Sequence, residues 1–384
     1  MFLSSLDLSG YRNYRRLHSS FSPGINLISG SNAQGKTNLV ESIYYLSIGK
    51  AYRPARDEQL ILWGAKAFQI NGCVENRAGK TEIEIRYTQE NNPEKHISAG
   101  GLRVARWEEV SGLLTSVLFS PESMSMIKGA PQERRSFLDY DIGQISRSYT
   151  ANLYKYRRLL TQRNALLKKL GSFNAPSKDK LEQLSVWDQQ LIQYGSRIIE
   201  KRISFLEKMT PLVRLTQRRI TEGKENMEIR YKLYSKSSAQ MVKDHEGKWD
   251  VSGFLQEEKE RSLQEDLRYG STHWGPHRDD IVILLDGVDV RQFGSQGQQR
   301  SGVLAMKLAE LEVFRGESGE YPILLLDDVL SELDEERQRQ LMQIIHEKSI
   351  QCMITSAELR HLDALERKQS KRFLVQNGEM SEME

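Results

Sequence analysis

Eight residues, "GSNAQGKT" at Gly30–Thr37, constrain this chain more than any other stretch. They match G-x-x-x-x-G-K-[ST], follow an apolar run, "INLIS" (25–29), and open a helix pattern, "TNLVESIYYLSIG" (37–49). That strand–loop–helix setting is what gives the pattern its meaning. Gly30 and Gly35 permit a tight loop, and the backbone N–H groups of Ser31, Asn32, Ala33 and Gln34 can then turn inward. Lys36 can reach β- and γ-phosphates, and Thr37 can put its hydroxyl on Mg²⁺ at a helix mouth that favours negative charge.

A phosphate loop needs a sheet behind it. Residues 2–8 and the pair "KAFQINGCVEN" and "TEIEIRYTQ" read as strands, as does "TSVLFSPE". Strand character returns at 227–235, "DIVILLDG" (280–287), "YPILLLDD" (321–328), "CMIT" (352–355) and "RFLVQNG" (372–378). Alternation with helices predicts an α/β fold with a mostly parallel sheet. Its strands come from both ends of the chain, so residues 1–120 and 263–384 are expected to form one discontinuous domain, with 121–262 inserted. In such a sheet, ligands sit beyond the carboxyl ends of the strands. Asp327 and Asp328 end an apolar strand there. Asp327 is placed to hold Mg²⁺, and Asp328 to orient or deprotonate water. The alternative for Asp328 is an N-cap for "VLSELDEERQRQ".

Charge is uneven. Residues 121–245 hold 24 Lys/Arg against 13 Asp/Glu, a balance of 24 − 13 = +11, while the rest hold 31 against 39, a balance of −8. The basic part touches an anion or presents a solvated face. Within it, Tyr149, Leu153, Tyr156, Leu160, Leu167 and Leu170 step by four and three, with Arg163 filling the missing step. Leu184, Trp187, Leu191, Tyr194 and Ile198 repeat the spacing after a Gly/Pro break at 171–178. The spacing predicts a short antiparallel helical hairpin, either a projecting arm of roughly 35 Å or a small helical subdomain.

"SQGQQR" (295–300) opens another helix pattern, with Ser295 and Gln298 at capping-box spacing. Bare backbone at Gly297, free N–H groups and the Ser295 hydroxyl suit a phosphate. The segment begins 32 residues before Asp327, so its own phosphate loop lies round the sheet and a second copy is the better-placed donor. The plain alternative is a capped core helix that touches no ligand.

Together the motifs resemble the RecF family, ATPases of recombinational repair with heads of the ABC/SMC type. The resemblance spans nearly the whole chain: "YRNY" (11–14), "GSNAQGKTNLVESIYYLS" (30–47), "FSPE" (119–122), "RRSFLD" (134–139), "QRNALLK" (162–168), "GPHRDD" (275–280), "SQGQQR" and "LLLDDVLSELD" (324–334). It implies an ABC/SMC-type ATPase head carrying a short helical lobe. Gly30–Thr37 would be its Walker A loop, Asp327 the Walker B metal residue and Asp328 the catalytic carboxylate. Ser295, Gln296, Gly297, Gln298 and Gln299 would be the signature, offered in trans, and 331–334 the D-loop. It implies ATP and Mg²⁺ as ligands, and a head-to-tail homodimer closed by ATP. Double-stranded DNA near single-strand gaps, RecR and RecO are the implied partners, in a pathway that loads RecA. Ser123 stands where the family usually has Asp, and no switch histidine follows strand 352–355. "GPHRDD" reads as a salt-bridged turn or as a sensing loop.

For a DNA clamp, the candidate phosphate contacts are Lys155, Arg157, Arg158, Arg163, Lys168 and Lys169. The competing readings are a transporter motor and a nuclease-associated ATPase. The first expects a membrane partner and an LSGGQ-like signature; the second expects a further acidic metal-binding domain. Only two cysteines, Cys73 and Cys352, and no apolar run near the ~20 residues of a membrane span point to the cytoplasm, and the resemblance implies association with the nucleoid.

Overall fold

The computed structural model describes residues 1–89, 93–170, 178–235, 249–357 and 370–383; the side chains of 178–181 are outside this description. In chain order the N-terminal part forms β1 (Phe2–Tyr11), β2 (Tyr14–Ser20), β3 (Ile25–Ser29), α1 (Lys36–Ile48), β4 (Ala67–Asn76), β5 (Gly79–Thr88), β6 (Glu94–Ala99), β7 (Leu102–Val104) and β8 (Ser116–Phe119). The middle forms α2 (Ser125–Lys128), α3 (Pro131–Ile145), α4 (Arg147–Leu170), α5 (Lys178–Ile220), β9 (Met227–Lys232) and α6 (Val251–Tyr269). Then follow β10 (Asp280–Leu285), β11 (Val288–Asp289), α7 (Val290–Phe293), α8 (Gln296–Ser318), β12 (Ile323–Asp327), α9 (Glu335–Glu347), β13 (Cys352–Ser356), β14 (Ser370–Gln376) and β15 (Glu379–Met383).

The central sheet has the order β15-β14-β3-β13-β12-β8. From β14 to β8 every pairing is parallel; β15 alone returns antiparallel. Strands 25–29, 116–119, 323–327, 352–356 and 370–376 meet in it, so the two ends of the chain build one sheet. Both faces are covered. Along β12, Ile323 and Leu325 join the core against α1, while Leu324 and Leu326 join the core on the other face. That two-sided burial explains why the strand reads as an unbroken apolar run rather than an alternation.

A second sheet, β2-β1-β4-β5-β6-β7, is antiparallel and closes over α1. Leu39, Val40, Ile43 and Leu46 of α1 share one core with Leu6, Ile70 and Ile85 of this sheet. A helix packed between two sheets is buried nearly all round, as α1 is from Leu39 to Ile48. Strands β2, β6, β7, β11 and β15 and helices α3 and α6 were not expected from the sequence.

On the opposite face the core runs without a break from the parallel sheet through α8 into α3–α6. The heptad positions Tyr149, Tyr156, Leu167, Leu170, Leu184, Leu191 and Ile198 are buried, and α4 packs on α5. The second helix is longer than its heptads indicate. It continues through Pro211 to Ile220, where its later part lies along α8 and β9. β9 pairs antiparallel with β10, across the expected boundary near residue 262. Most of the expected break at 171–178 lies outside the described residues.

Candidate nucleotide site

The loop after β3 is built as its glycines require. Gly30 has φ 148° and Gly35 φ 124°, values an L side chain rarely adopts. A Cβ on Gly30 would run into the Val375 carbonyl, and one on Gly35 would meet Asn13 Nδ2 at 2.6 Å. The loop is held from outside by the β1–β2 hairpin. Asn13 Nδ2 donates to the Gln34 carbonyl (2.8 Å), and Tyr14 OH to the Gly35 carbonyl (3.0 Å). From β14–β15, the amide of Gly378 donates to the Gln34 carbonyl (3.1 Å). Ser31, Asn32 and Ala33 are left exposed at the rim.

Lys36 curls over the loop, its Nζ donating to the Gly30 (2.7 Å) and Ser31 (3.0 Å) carbonyls. Burial pulls its pKa below the ordinary lysine value, and the carboxylates of Asp328 and Asp327 oppose that pull. The structure thus brings Lys36, Thr37, Asp327 and Asp328 together from residues 290 positions apart.

Asp327 sits at the carboxyl end of β12, 3 % exposed. Its Oδ1 accepts from Thr37 Oγ1 (3.1 Å) and Thr355 Oγ1 (2.7 Å); its Oδ2 accepts from Tyr52 OH (2.8 Å). Among the described residues, no group of three His, Cys, Asp or Glu side chains is arranged to hold a metal alone. One carboxylate beside one hydroxyl is what the protein would offer a Mg²⁺ ion, with phosphate oxygens and water left to complete its shell. The donor set fits Mg²⁺.

Asp328 has φ 54°, a left-handed backbone that Asp tolerates better than most residues. Its amide donates to Thr355 Oγ1 (2.9 Å), so one threonine hydroxyl ties both acids. Burial pushes its carboxyl above the ordinary range; Lys36 pulls it back, and neighbouring Asp327 adds to the push. It does not cap the next helix. The N-cap of α9 is Asp334, whose carboxylate accepts from the Arg337 amide (2.9 Å).

Ser295 caps α8 with the expected box: Ser295 Oγ accepts from the Gln298 amide (3.2 Å), and Gln298 Oε1 from the Ser295 amide (2.9 Å). Ser295, Gln296 and Gly297 are exposed. The side chains of this turn bond elsewhere than the phosphate loop: Gln298 Nε2 donates to Glu225, Gln299 Nε2 to the Val290 carbonyl, and Arg300 to the Glu332 carbonyl.

Of the basic candidates, Lys155, Arg157, Arg158, Lys168 and Lys169 are exposed on α4. Arg157 also pairs with Asp139 (2.8 Å). Arg163 is a correction. It is fully buried, with Nε on Asp188 (2.6 Å), Nη1 on Asp266 (2.7 Å) and its guanidinium 5.2 Å from the Trp274 ring centre. A side chain committed to two buried carboxylates has nothing to offer DNA.

Sequence reasoning left four side chains of the site unassigned: Asn13, Tyr14, Tyr52 and Thr355. "YRNY" flagged the first two by resemblance without a role; the partners of the other two are 275 and 28 residues away and leave no local pattern. "GPHRDD" is a bonded turn. Arg134 pairs with Asp280, Arg135 donates to the Asp279 carbonyl, and Arg202 to the Pro276 carbonyl.

A phosphate loop, an acidic strand end and a capped glycine-rich turn on one α/β sheet define a nucleotide-binding ATPase head of the SMC type. The model of the RecF/RecN/SMC N-terminal domain matches residues 2–381. The chain is 40 % identical to the DNA replication and repair protein RecF of Natranaerobius thermophilus over 387 residues, covering 99 % of this chain and 97 % of that one. It is 39 % identical to RecF of Alkaliphilus oremlandii, covering 99 % and 100 %. A solved structure of the recombination mediator protein RecF with ATP, from the RecFOR pathway, superposes with a TM-score of 0.88 at 33 % identity, covering 100 % of this chain and 98 % of that one. The Smc head domain of Pyrococcus furiosus shares the fold, with a TM-score of 0.55 at 16 % identity over 100 % and 96 %. The chain belongs to the RecF family.

Proposed function

We propose that this protein is an ATP-switched DNA clamp of recombinational repair. ATP with Mg²⁺ binds at Gly30–Thr37 and Asp327, and closes a head-to-tail homodimer by recruiting Ser295–Gln298 of the second copy. The dimer is retained on double-stranded DNA beside single-strand gaps. There, with RecR and RecO, it supports RecA loading in the cytoplasm, on the nucleoid. Slow, DNA-stimulated hydrolysis through Asp328 releases it. Residues 1–120 and 263–384 act as the ATPase head, and 121–262 as the DNA-contacting insert.

The observation that carries this reading is a divided site. Lys36, Thr37, Asp327 and Asp328 cluster in one copy, while the glycine-bearing mouth of α8 is exposed and bonded to other elements. The solved RecF relative with ATP supports the nucleotide. Among the described residues, no helix is long and apolar enough to cross a membrane.

Subunit mixing tests it. Lys36→Ala and Ser295→Arg each inactivate a different half, so a mixed dimer keeps one intact composite site and regains ATPase. Mixed dimers shown to form, yet without recovered turnover, sink the shared site.

A further inference from the structure

Tyr52 belongs to none of the nucleotide-binding motifs, yet its hydroxyl is one of three that hold Asp327. Thr37 and Thr355 donate to Oδ1, and Tyr52 alone among them donates to Oδ2, at 2.8 Å. The three come from the mouth of α1, the end of β13 and the loop after α1. A carboxylate gripped on one oxygen can still rotate about its last bond; a donor on the second oxygen fixes its plane.

We propose that Tyr52 is the positioning residue that orients the metal-holding carboxylate, so that Asp327 meets the Mg²⁺ shell without first reorganising. The proposal rests on the nucleotide-site reading above. Losing a group that orients a metal ligand typically costs about 10- to 100-fold in metal affinity or activity.

The loop is built to deliver that hydroxyl. Helix α1 stops at Gly49 in a left-handed turn, sending the chain back along its own helix. Arg53, the next residue after Tyr52, bonds Glu41 through Nε (3.1 Å) and Nη2 (2.9 Å), and Asn38 through Nη2 (2.7 Å). Both partners lie on α1, the helix that begins with Lys36 and Thr37. The Tyr52 ring packs edge-on against Tyr44, centroids 5.8 Å apart. Phosphate-binding residues and carboxylate clamp thus share one rigid support.

Tyr52→Phe keeps the ring and removes the donor. The readout is Mn²⁺, a spectroscopically visible substitute for Mg²⁺, titrated by electron paramagnetic resonance into the protein bound to a slowly hydrolysed ATP analogue. Mn²⁺ affinity is expected to fall about tenfold. Nucleotide affinity in EDTA stays within about twofold, because the phosphate loop is untouched, and turnover falls with KM for ATP unchanged. Tyr44→Phe, next to it, leaves Mn²⁺ affinity as in the wild type. Unchanged Mn²⁺ binding in Tyr52→Phe overturns the proposal, and tighter binding overturns it too, because the hydroxyl would then compete with the metal. Wild-type protein that binds no nucleotide overturns the site reading itself; intact wild-type binding with an indifferent Tyr52→Phe overturns only the role of Tyr52.

Discussion

Arg134 and Asp280, 146 residues apart, meet as a two-pronged ion pair, Nε to Oδ1 at 2.7 Å and Nη2 to Oδ2 at 2.9 Å. One belongs to "RRSFLD" on α3, the other to "GPHRDD" at the start of β10. The junction continues around them. Arg135 donates to the Asp279 carbonyl, and Tyr231 OH to Asp279 Oδ2 (2.7 Å). Arg202 bonds Asp139 and the Pro276 carbonyl, and Tyr156 bonds His277. Two segments that look like separate motifs are two halves of one fastening between the helical part and the sheet β11-β10-β9.

Arg134→Ala removes the guanidinium and strands Asp280. Arg134 is 3 % exposed, so its loss should be felt, while Asp280 keeps partial access to water. Destabilisation of about 3 kcal/mol, the low end for breaking a buried pair, is expected. Chemical denaturation measures it; a shift below ~0.5 kcal/mol would show that the pair only decorates the junction.

The turn's pH response has two opposed parts. Burial holds His277 down at about 4, so the fold favours its neutral form. Its contribution is complete above the unfolded value of ~6.5 and is lost as pH falls from there towards 4. Burial raises Asp279 to about 6, so the fold favours its protonated form, and stability is gained as pH falls from 6 towards ~4. Arg278, Arg135 and Arg163 oppose charging of the histidine, while Arg202 and Arg135 pull Asp279 back towards its ionised form. The two effects offset each other over the same window. Asp279→Asn should therefore unmask a fall in stability between pH 6.5 and 4, and His277→Gln a rise. Parallel pH profiles for both variants and wild type would refute the opposition.

What the sequence made legible was local. The phosphate loop, its helix, the capping box at Ser295 and the acidic end of β12 each rest on residues a few positions apart, and each stands where expected. The resemblance added the order of the motifs. What was hidden depends on distant partners. Arg163 read as a polar break in a heptad seam, because Asp188 and Asp266 lie 25 and 103 residues away. Strand β2, "YRRLHSS", is mostly polar and takes its form from pairing with β1. The later part of α5 carries Pro211, a breaker by local rules, and is held instead by packing on α8 and β9.

Arg163 and the lysines of α4 should separate cleanly. Arg163→Ala leaves Asp188 and Asp266 buried without their cation, costing about 3–5 kcal/mol. For the DNA clamp reading, its folded fraction should still bind DNA with the wild-type salt dependence. Lys168→Ala with Lys169→Ala should spare stability and flatten the slope of log K against log salt by up to ~1.8. A changed slope in folded Arg163→Ala, or an unchanged one in the double lysine variant, would overturn this division.

Asp328→Asn tests the second acid with little backbone disturbance. Asparagine tolerates the φ of 54° that Asp328 adopts, and the amide bond to Thr355 does not involve the side chain. The variant loses only the charge beside Lys36. ATP should bind at least as tightly, since one negative group near the phosphates is gone. Hydrolysis should fall by ~10²-fold or more, the usual worth of a general base, and the ATP-bound dimer should persist. In wild type the raised carboxyl pKa moves the acid limb of turnover above the ordinary aspartate range, because protonated Asp328 can no longer accept a proton from water. Single-turnover hydrolysis against pH, with sizing of the ATP-bound species, checks all of this. Wild-type turnover in Asp328→Asn would remove the residue from the chemical step and leave Asp327 as the site's only working carboxylate.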